Sequence, residues 1–243
     1  MANLFVSDIH LTPEKPELET TFLSFLGGPA GQAQALYILG DLFDTWLGDD
    51  DLAHPAWRSV IDGLAQVSAQ GVELYFQHGN RDFLIGEAFA RACGLTLLPE
   101  IAFVNLDGTS ALLMHGDELC VDDQAYQAWR RQARDRQWQE RFLALPIEER
   151  RAIAAGLRAT STREKAEKPP QIMDVNAAAV VAALRSAGVC HLIHGHTHRP
   201  AKHSIEVDAR ACERWVLPDW RPAGGYLECS KSGWAMHAWP EAK

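Results

Sequence analysis

The chain has 243 residues, 47% apolar and 23% charged, which suits one sizeable core and excludes a disordered or fibrous protein. Its net charge of -9 argues against a protein that coats nucleic acid non-specifically. Five cysteines, odd in number and without a CxxC pair, predict a reducing compartment rather than a disulfide framework.

The N-terminus, MANLFVSDIH, has neither a basic n-region nor an apolar h-region, so no signal peptide is expected. No stretch nears the roughly 20 apolar residues that span a bilayer. Short apolar runs at 3–6 (NLFV), 35–39 (ALYIL), 72–77 (VELYFQ), 110–114 (SALLM) and 189–193 (VCHLI) have the length and composition of buried strands. Apolar residues at 3–4 spacing predict helices over 17–27, 54–70 and 174–188, the last with Asp174 as cap and Gly188 as stop. This alternation predicts an α/β or α+β layered fold around a buried sheet. Residues 121–171 break the rhythm with a helical insertion rich in Arg, Gln, Ala and Trp, punctuated by Pro146 and Pro169–Pro170. Residues 129–168 hold eleven Lys/Arg against six Asp/Glu, a basic stretch in an acidic chain. Residues 201–243 read as short strands joined by turns.

Each of the five apolar runs ends in a chemically loaded turn. These are Asp8-x-His10, Gly40-Asp41-x-x-Asp44, Gly79-Asn80-Arg81-Asp82, His115-Gly116 and Gly195-His196-x-His198. Asp8, Asp41, Asn80, His10, His115, His196 and His198 offer two carboxylates, one amide oxygen and four imidazoles. Oxygen and nitrogen ligands without thiolate suit Mn²⁺, Fe, Mg²⁺ or Zn²⁺ rather than a structural zinc site. Two such ions about 3.5–4 Å apart, sharing a carboxylate, can clamp both oxygens of an in-line phosphoryl displacement. Each motif alone has an ordinary reading as a strand end, a capped turn or a solvated loop. Core packing gives no reason for five of them after successive strand-like runs.

The order DxH, GDxxD, GNRD, HG, GHxH over positions 8–198 resembles the calcineurin-like metallophosphoesterases. The resemblance implies an α+β fold, a four-layer αββα sandwich with the metals at strand C-termini. It implies a single domain over 1–243 with a helical cap inserted at about 121–171. Asp8, His10 and His198 would hold one metal and Asn80, His115 and His196 the other, with Asp41 bridging and Asp44 and Asp82 orienting ligands. The general family has His after the Asn; here that position is Arg81. Arg is no general acid at neutral pH but clamps phosphate through two donors. The leaving group must then be good without protonation, which points to a pyrophosphate.

Longer stretches (ALYILGDLFDTWLGDDD, FQHGNRDFLIG, LLMHGDELCVDDQAYQAWR, QIMDVNAAAVV, LIHGHTHRPA) resemble the branch of that family serving lipid A biosynthesis, from residue 3 to about 200. That likeness implies hydrolysis of UDP-2,3-diacylglucosamine to UMP and 2,3-diacylglucosamine 1-phosphate (lipid X). Two Mn²⁺ ions per chain would activate a hydroxide to attack the α-phosphorus, with Asp41, Asn80, Arg81 and His115 as catalytic residues. It implies a monomer, without nucleic-acid partners, peripheral on the cytoplasmic face of the Gram-negative inner membrane. Asn80, Arg81, Asp123, Ser161, Lys168 and His196 match its substrate contacts, whereas Lys165 stands where Asn is expected, in the least similar stretch, 161–171. Trp129, Trp138 and Phe142 could give the insertion an inner face for acyl chains; the other reading is a plain helical hairpin with a solvated charged face. Two other functions are open: a phosphoesterase for a soluble nucleotide or other phosphodiester, and a non-catalytic scaffold on the same fold. The apolar, basic insertion opposes the first and the intact ligand set the second.

Overall fold

The computed structural model describes residues 2–167 and 172–240, without the side chains of 161–167. In chain order its elements are β1 (Asn3–Val6), α1 (Pro16–Gly27), β2 (Ala35–Leu39), α2 (Arg58–Ala69), β3 (Glu73–Gln77), α3 (Glu87–Cys93), β4 (Leu95–Leu98), β5 (Ala102–Leu106) and β6 (Thr109–Leu113). There follow α4 (Gln124–Ala133), α5 (Arg136–Leu143), α6 (Ile147–Glu167), α7 (Ala177–Ala187), β7 (His191–His194), β8 (Ala201–Val207), β9 (Arg210–Val216), β10 (Gly224–Ser230) and β11 (Gly233–Trp239). The five apolar runs form β1, β2, β3, β6 and β7.

One sheet has the order β11-β10-β1-β2-β3-β4 and the other β5-β6-β7-β9-β8. β1 to β4 are mutually parallel, as are β6, β7 and β9; the remaining pairings are antiparallel. β1 and β2 are buried at every position, because helices cover one face and the second sheet the other.

Side-chain alternation sets the layers. Leu4, Val6, Leu36, Ile38, Leu74 and Phe76 face α1, α2 and α3, meeting Phe22, Phe25, Leu64 and Phe89. The alternate residues Phe5, Tyr37, Leu39 and Tyr75 point the other way and meet Leu113, Ile193 and Trp215 of the second sheet. The rings of Phe5, Tyr37 and Tyr75 stack in series at 4.6 and 4.7 Å. Leu112, Leu192 and Cys212, on the far face of that sheet, pack on Val180 and Leu184 of α7. The result is the expected four-layer αββα sandwich. Each fully buried Phe or Leu in it contributes about 1.5–3 kcal/mol.

The start of α7 differs from expectation. Asn176, not Asp174, is its cap: Asn176 Oδ1 accepts from the backbone N–H groups of Ala178 and Ala179 at 2.9 and 3.1 Å. Asp174 lies too early to reach them and pairs with Arg199 instead. Gly188 ends the helix at φ +71°, as its sequence position predicts.

α4, α5 and α6 follow β6 with no strand between them. Asp123 and Asp135 cap the first two by accepting from Tyr126 and Trp138 N–H at 3.1 and 2.8 Å. Trp138 stacks on Phe142 at 5.0 Å and meets Trp129 edge-on at 5.4 Å. Arg150 of α6, buried to 1%, bonds Leu47 O and the Asp50 carboxylate, tying α6 to the loop after β2.

Candidate metal centre

The strands β1, β2, β3, β6 and β7 deliver their C-terminal loops to one end of the sandwich, and the backbone knits those loops together. Asp8 N–H donates to Gly40 O at 3.1 Å, His10 N–H to Asp41 O at 2.9 Å and Gly195 N–H to His115 O at 2.9 Å. His196 N–H donates to Asp8 Oδ2 at 2.8 Å, joining the loops of the two sheets. Asp8, His10, Asp41, His196 and His198 all sit at φ between +54° and +66°. Non-glycine residues rarely adopt that conformation, at a cost of about 1–3 kcal/mol each. Such strain persists where it aims side chains at a common point. Gly79 must lack a side chain, because a Cβ there would overlap the Asp41 carboxylate.

All seven candidate ligands converge. His10 and His198 face each other Nε2 to Nε2 at 3.2 Å. Asp8 Oδ1 lies 3.4 Å from His198 Nε2 and 3.9 Å from His10 Nε2. On the other side, Asn80 Oδ1 lies 3.1 Å from His115 Nε2 and 2.9 Å from His196 Nδ1. Asp41 stands between the groups, Oδ2 3.9 Å from His10 Nε2 and Oδ1 3.7 Å from His115 Nε2. Two overlapping trios, Asp8–His10–His198 and Asp8–Asp41–His115, each bring one donor atom per residue within 4.8 Å of one another.

The donors fit divalent cations on physical grounds. Asp8 is fully buried; its Oδ2 accepts from Ser7 Oγ and His196 N–H, while Oδ1 has no hydrogen-bond partner. An unpartnered buried carboxylate oxygen costs free energy that a cation would offset. His115 donates Nδ1–H to Leu39 O at 2.8 Å, which leaves the Nε2 lone pair toward Asp41 and Asn80.

The protonation of the metal-free cluster is strained as well. Asp41 is pushed above the usual carboxylate range by burial and by the charge of Asp8. Burial also opposes charge on Asp8, but His198, His115 and His10 outweigh it and hold its carboxyl low. Burial opposes charge on His115 too, yet Asp41, Asp8 and Asp117 raise its pKa to about 9. Burial depresses His10 to about 4. A cation must therefore displace protons from His115 and Asp41. Because protons leave on binding, Mn²⁺ affinity is expected to strengthen as pH rises toward 9, with net proton release. Calorimetry in two buffers of different ionisation heat measures this; flat affinity or proton uptake over that range contradicts it.

The neighbouring residues divide. Asp82 accepts from Gly79 and Leu42 N–H at 2.9 and 2.7 Å, holding the second and third loops together. Asp44 lies 3.9 Å from His10 Nδ1 and pairs with Arg158 of α6. Arg81 lines the cleft above the cluster, and its backbone N–H donates to Asp41 Oδ1 at 2.8 Å. Asp123 lines the same cleft. The side chains of Ser161 and Lys165, and all of Lys168, lie outside the described residues.

Sequence reasoning missed two supports. Asp219 Oδ2 lies 3.4 Å from His198 Nδ1, beside the Arg221 guanidinium, which contacts the same nitrogen at 2.7 Å. Tyr126 of α4 stacks on His196 at 5.9 Å and donates its hydroxyl to buried Asp117 at 2.7 Å. Asp219 lies in a loop beyond the last strand-end motif, and Tyr126, although within a stretch that carries the family likeness, has no local signal of its contact with His196.

The strand-end loops and this two-centre cluster define a metal-dependent phosphoesterase scaffold, and the chain belongs to the calcineurin-like phosphoesterases, whose family pattern matches residues 1–200. Within that family it is similar to the UDP-2,3-diacylglucosamine hydrolase of Aromatoleum aromaticum, 50% identical over 96% of this chain and 95% of that one. The proteins of the same name from Cellvibrio japonicus and from an Escherichia coli strain are 46% and 48% identical, covering 98% and 94% of this chain and 99% and 95% of theirs. A dimetal phosphatase from Danio rerio shares the fold, with a TM-score of 0.53 over 98% of this chain and 95% of that one at 13% identity.

Proposed function

We propose that this chain hydrolyses the pyrophosphate of UDP-2,3-diacylglucosamine, giving UMP and 2,3-diacylglucosamine 1-phosphate. The carrying observation is the pairing of the polar cluster with an apolar cleft. Asn80, Arg81, His196 and His198 line a cavity of about 570 Å³ whose other walls include Trp46, Leu47, Phe83, Trp129, Trp138 and Phe142. A substrate with a charged centre and acyl chains matches both walls. A soluble nucleotide would leave the aromatic wall without a partner.

Asp8, His10 and His198 would hold one ion, Asn80, His115 and His196 the other, and Asp41 would face both. Bound there, a pair of Mn²⁺ ions supplies activation of water and neutralisation of phosphate charge. Arg81 offers a guanidinium to the phosphates, and no carboxylate lies within ion-pair distance of it among the described residues. Its charge is thus available to the departing phosphate, which needs no proton donor. α4–α6 act as the cap: the aromatic face shields the acyl chains and excludes water from the reacting phosphorus.

The exposed apolar side chains Leu143, Ile153 and Leu157, among basic neighbours, suit a peripheral place on an anionic membrane surface. No helix among the described residues is long and apolar enough to cross a membrane. The remaining parts of the reading are the cytoplasmic face of the inner membrane and a monomer.

Hydrolysis in ¹⁸O-water tests the reaction. The label is expected in UMP, from attack at the α-phosphorus, and turnover is expected only with added divalent metal. Label in the lipid phosphate rejects α-attack. Turnover of a soluble dinucleotide at the same efficiency as the lipid substrate rejects the substrate assignment.

A further inference from the structure

A second cavity of about 270 Å³ adjoins the main cleft. Its floor is the outer face of β8 and β9, where His203 is opposite Arg214 and Ala201 opposite Val216. Arg199 and Asp174 form its rim, and Thr197 and Arg199 line both cavities. Thr197 lies between His196 and His198, so this cavity adjoins the loop that carries two of the candidate ligands, and none of the aromatic residues of the main cleft lines it.

Its polar groups are poorly matched among themselves. Thr197 Oγ1 is buried without a hydrogen-bond partner. Arg214 is half-buried, and no carboxylate lies within 4.0 Å of it among the described residues. Its guanidinium instead reaches the fully buried His194, Nε2 at 3.5 Å. Burial lowers the Arg214 pKa, with only the more distant Asp174 opposing it. Asp174 itself pairs with Arg199. A desolvated guanidinium and an orphan hydroxyl are costly to maintain and call for oxygen acceptors.

We propose that this cavity receives the uridine end of the substrate while the diacylglucosamine end lies under α4–α6, an inference that rests on the function proposed above. The two ends differ in polarity and leave the reacting pyrophosphate in opposite directions, so they need separate walls. Uracil presents two carbonyl acceptors flanking an N–H, and ribose presents two hydroxyls. Arg214 and Thr197 supply donors to the carbonyls, and the Asp174 carboxylate accepts from a hydroxyl or the N–H. The uridine carries no charge of its own, so its carbonyls satisfy Arg214 without burying a second ion.

The test is calorimetric titration of the Mn²⁺-loaded protein with UMP and, separately, with detergent-solubilised 2,3-diacylglucosamine 1-phosphate. Arg214→Gln is expected to weaken UMP about tenfold, the loss of charge-assisted hydrogen bonds, and to leave lipid-product affinity within twofold. His203→Ala, a milder change on the hairpin, is expected to weaken UMP about threefold with the same selectivity, and it decides alone if Arg214→Gln does not fold. UMP affinity within twofold of wild type in the folded variants, or equal weakening of both products, overturns the uridine site. If wild type fails to cleave UDP-2,3-diacylglucosamine but binds UMP through Arg214, the substrate proposal falls and the uridine site stands. If it cleaves the substrate and UMP binding ignores Arg214, only the uridine site falls.

Discussion

His115→Ala is expected to lower turnover of UDP-2,3-diacylglucosamine by roughly 1,000-fold or more. Losing a residue that merely supports a metal ligand already costs about 10–100-fold, and a direct ligand, as proposed for His115, would cost more. The ring is 1% exposed, fixed by Leu39 O at Nδ1, and turned with Nε2 toward Asn80 and Asp41. Alanine removes the donor and opens a cavity that Gly40 and Gly79 have no side chains to fill. Asn80→Ala should fall similarly, because its single Oδ1 contacts both His115 and His196. Metal analysis alongside kinetics separates loss of the ion from loss of the fold. Near-wild-type turnover with full metal content in either variant sinks the assignment.

The candidate centre was legible because each proposed ligand is a polar residue at the end of an apolar run, where a buried parallel strand must open into a loop. The rhythm of five such runs reveals both the strands and the end at which their chemistry collects. The adjoining elements carry no such signal. α3, β4 and β5 are short, and β4 and β5 are buried at only some positions, so neither periodicity declares itself. Sequence does not place the α7 cap, because Asp174 and Asn176 are both capping residue types and only the backbone path decides which reaches Ala178 and Ala179. Asp219 approaches His198 from a loop 21 residues downstream, a proximity made by β8 and β9 turning back beside β7. Asp117 adjoins a recognised motif, but its role depends on Tyr126 and Arg130 arriving from α4 at 2.7 and 2.9 Å. Local pattern finds what a strand end presents; it does not find what a distant segment brings to it.

Asp82→Ala is expected to destabilise the Mn²⁺-loaded protein by about 3 kcal/mol and to reduce turnover about 100-fold, although Asp82 is not one of the seven candidate ligands. Its two oxygens accept from Gly79 and Leu42 N–H at 2.9 and 2.7 Å, and more weakly from Asp41 and Phe43 N–H at 3.2 and 3.4 Å. Those groups belong to the loops that carry Asp41 and Asn80, so one carboxylate sets the spacing of two candidate ligands. An opposing effect must be weighed. Burial, and then the charge of Asp41, raise the Asp82 pKa, so removing Asp82 also relieves repulsion. That relief matters only while the cluster lacks cations, because a cation held by Asp41 would neutralise its charge. The loss of stability should therefore be larger in Mn²⁺ than in chelator, as read from denaturant midpoints under both conditions. If Asp82 were a passive core residue, the two midpoints would move equally and turnover would stay within threefold. The difference between the two conditions thus measures how strongly this buried carboxylate is coupled to the metal centre.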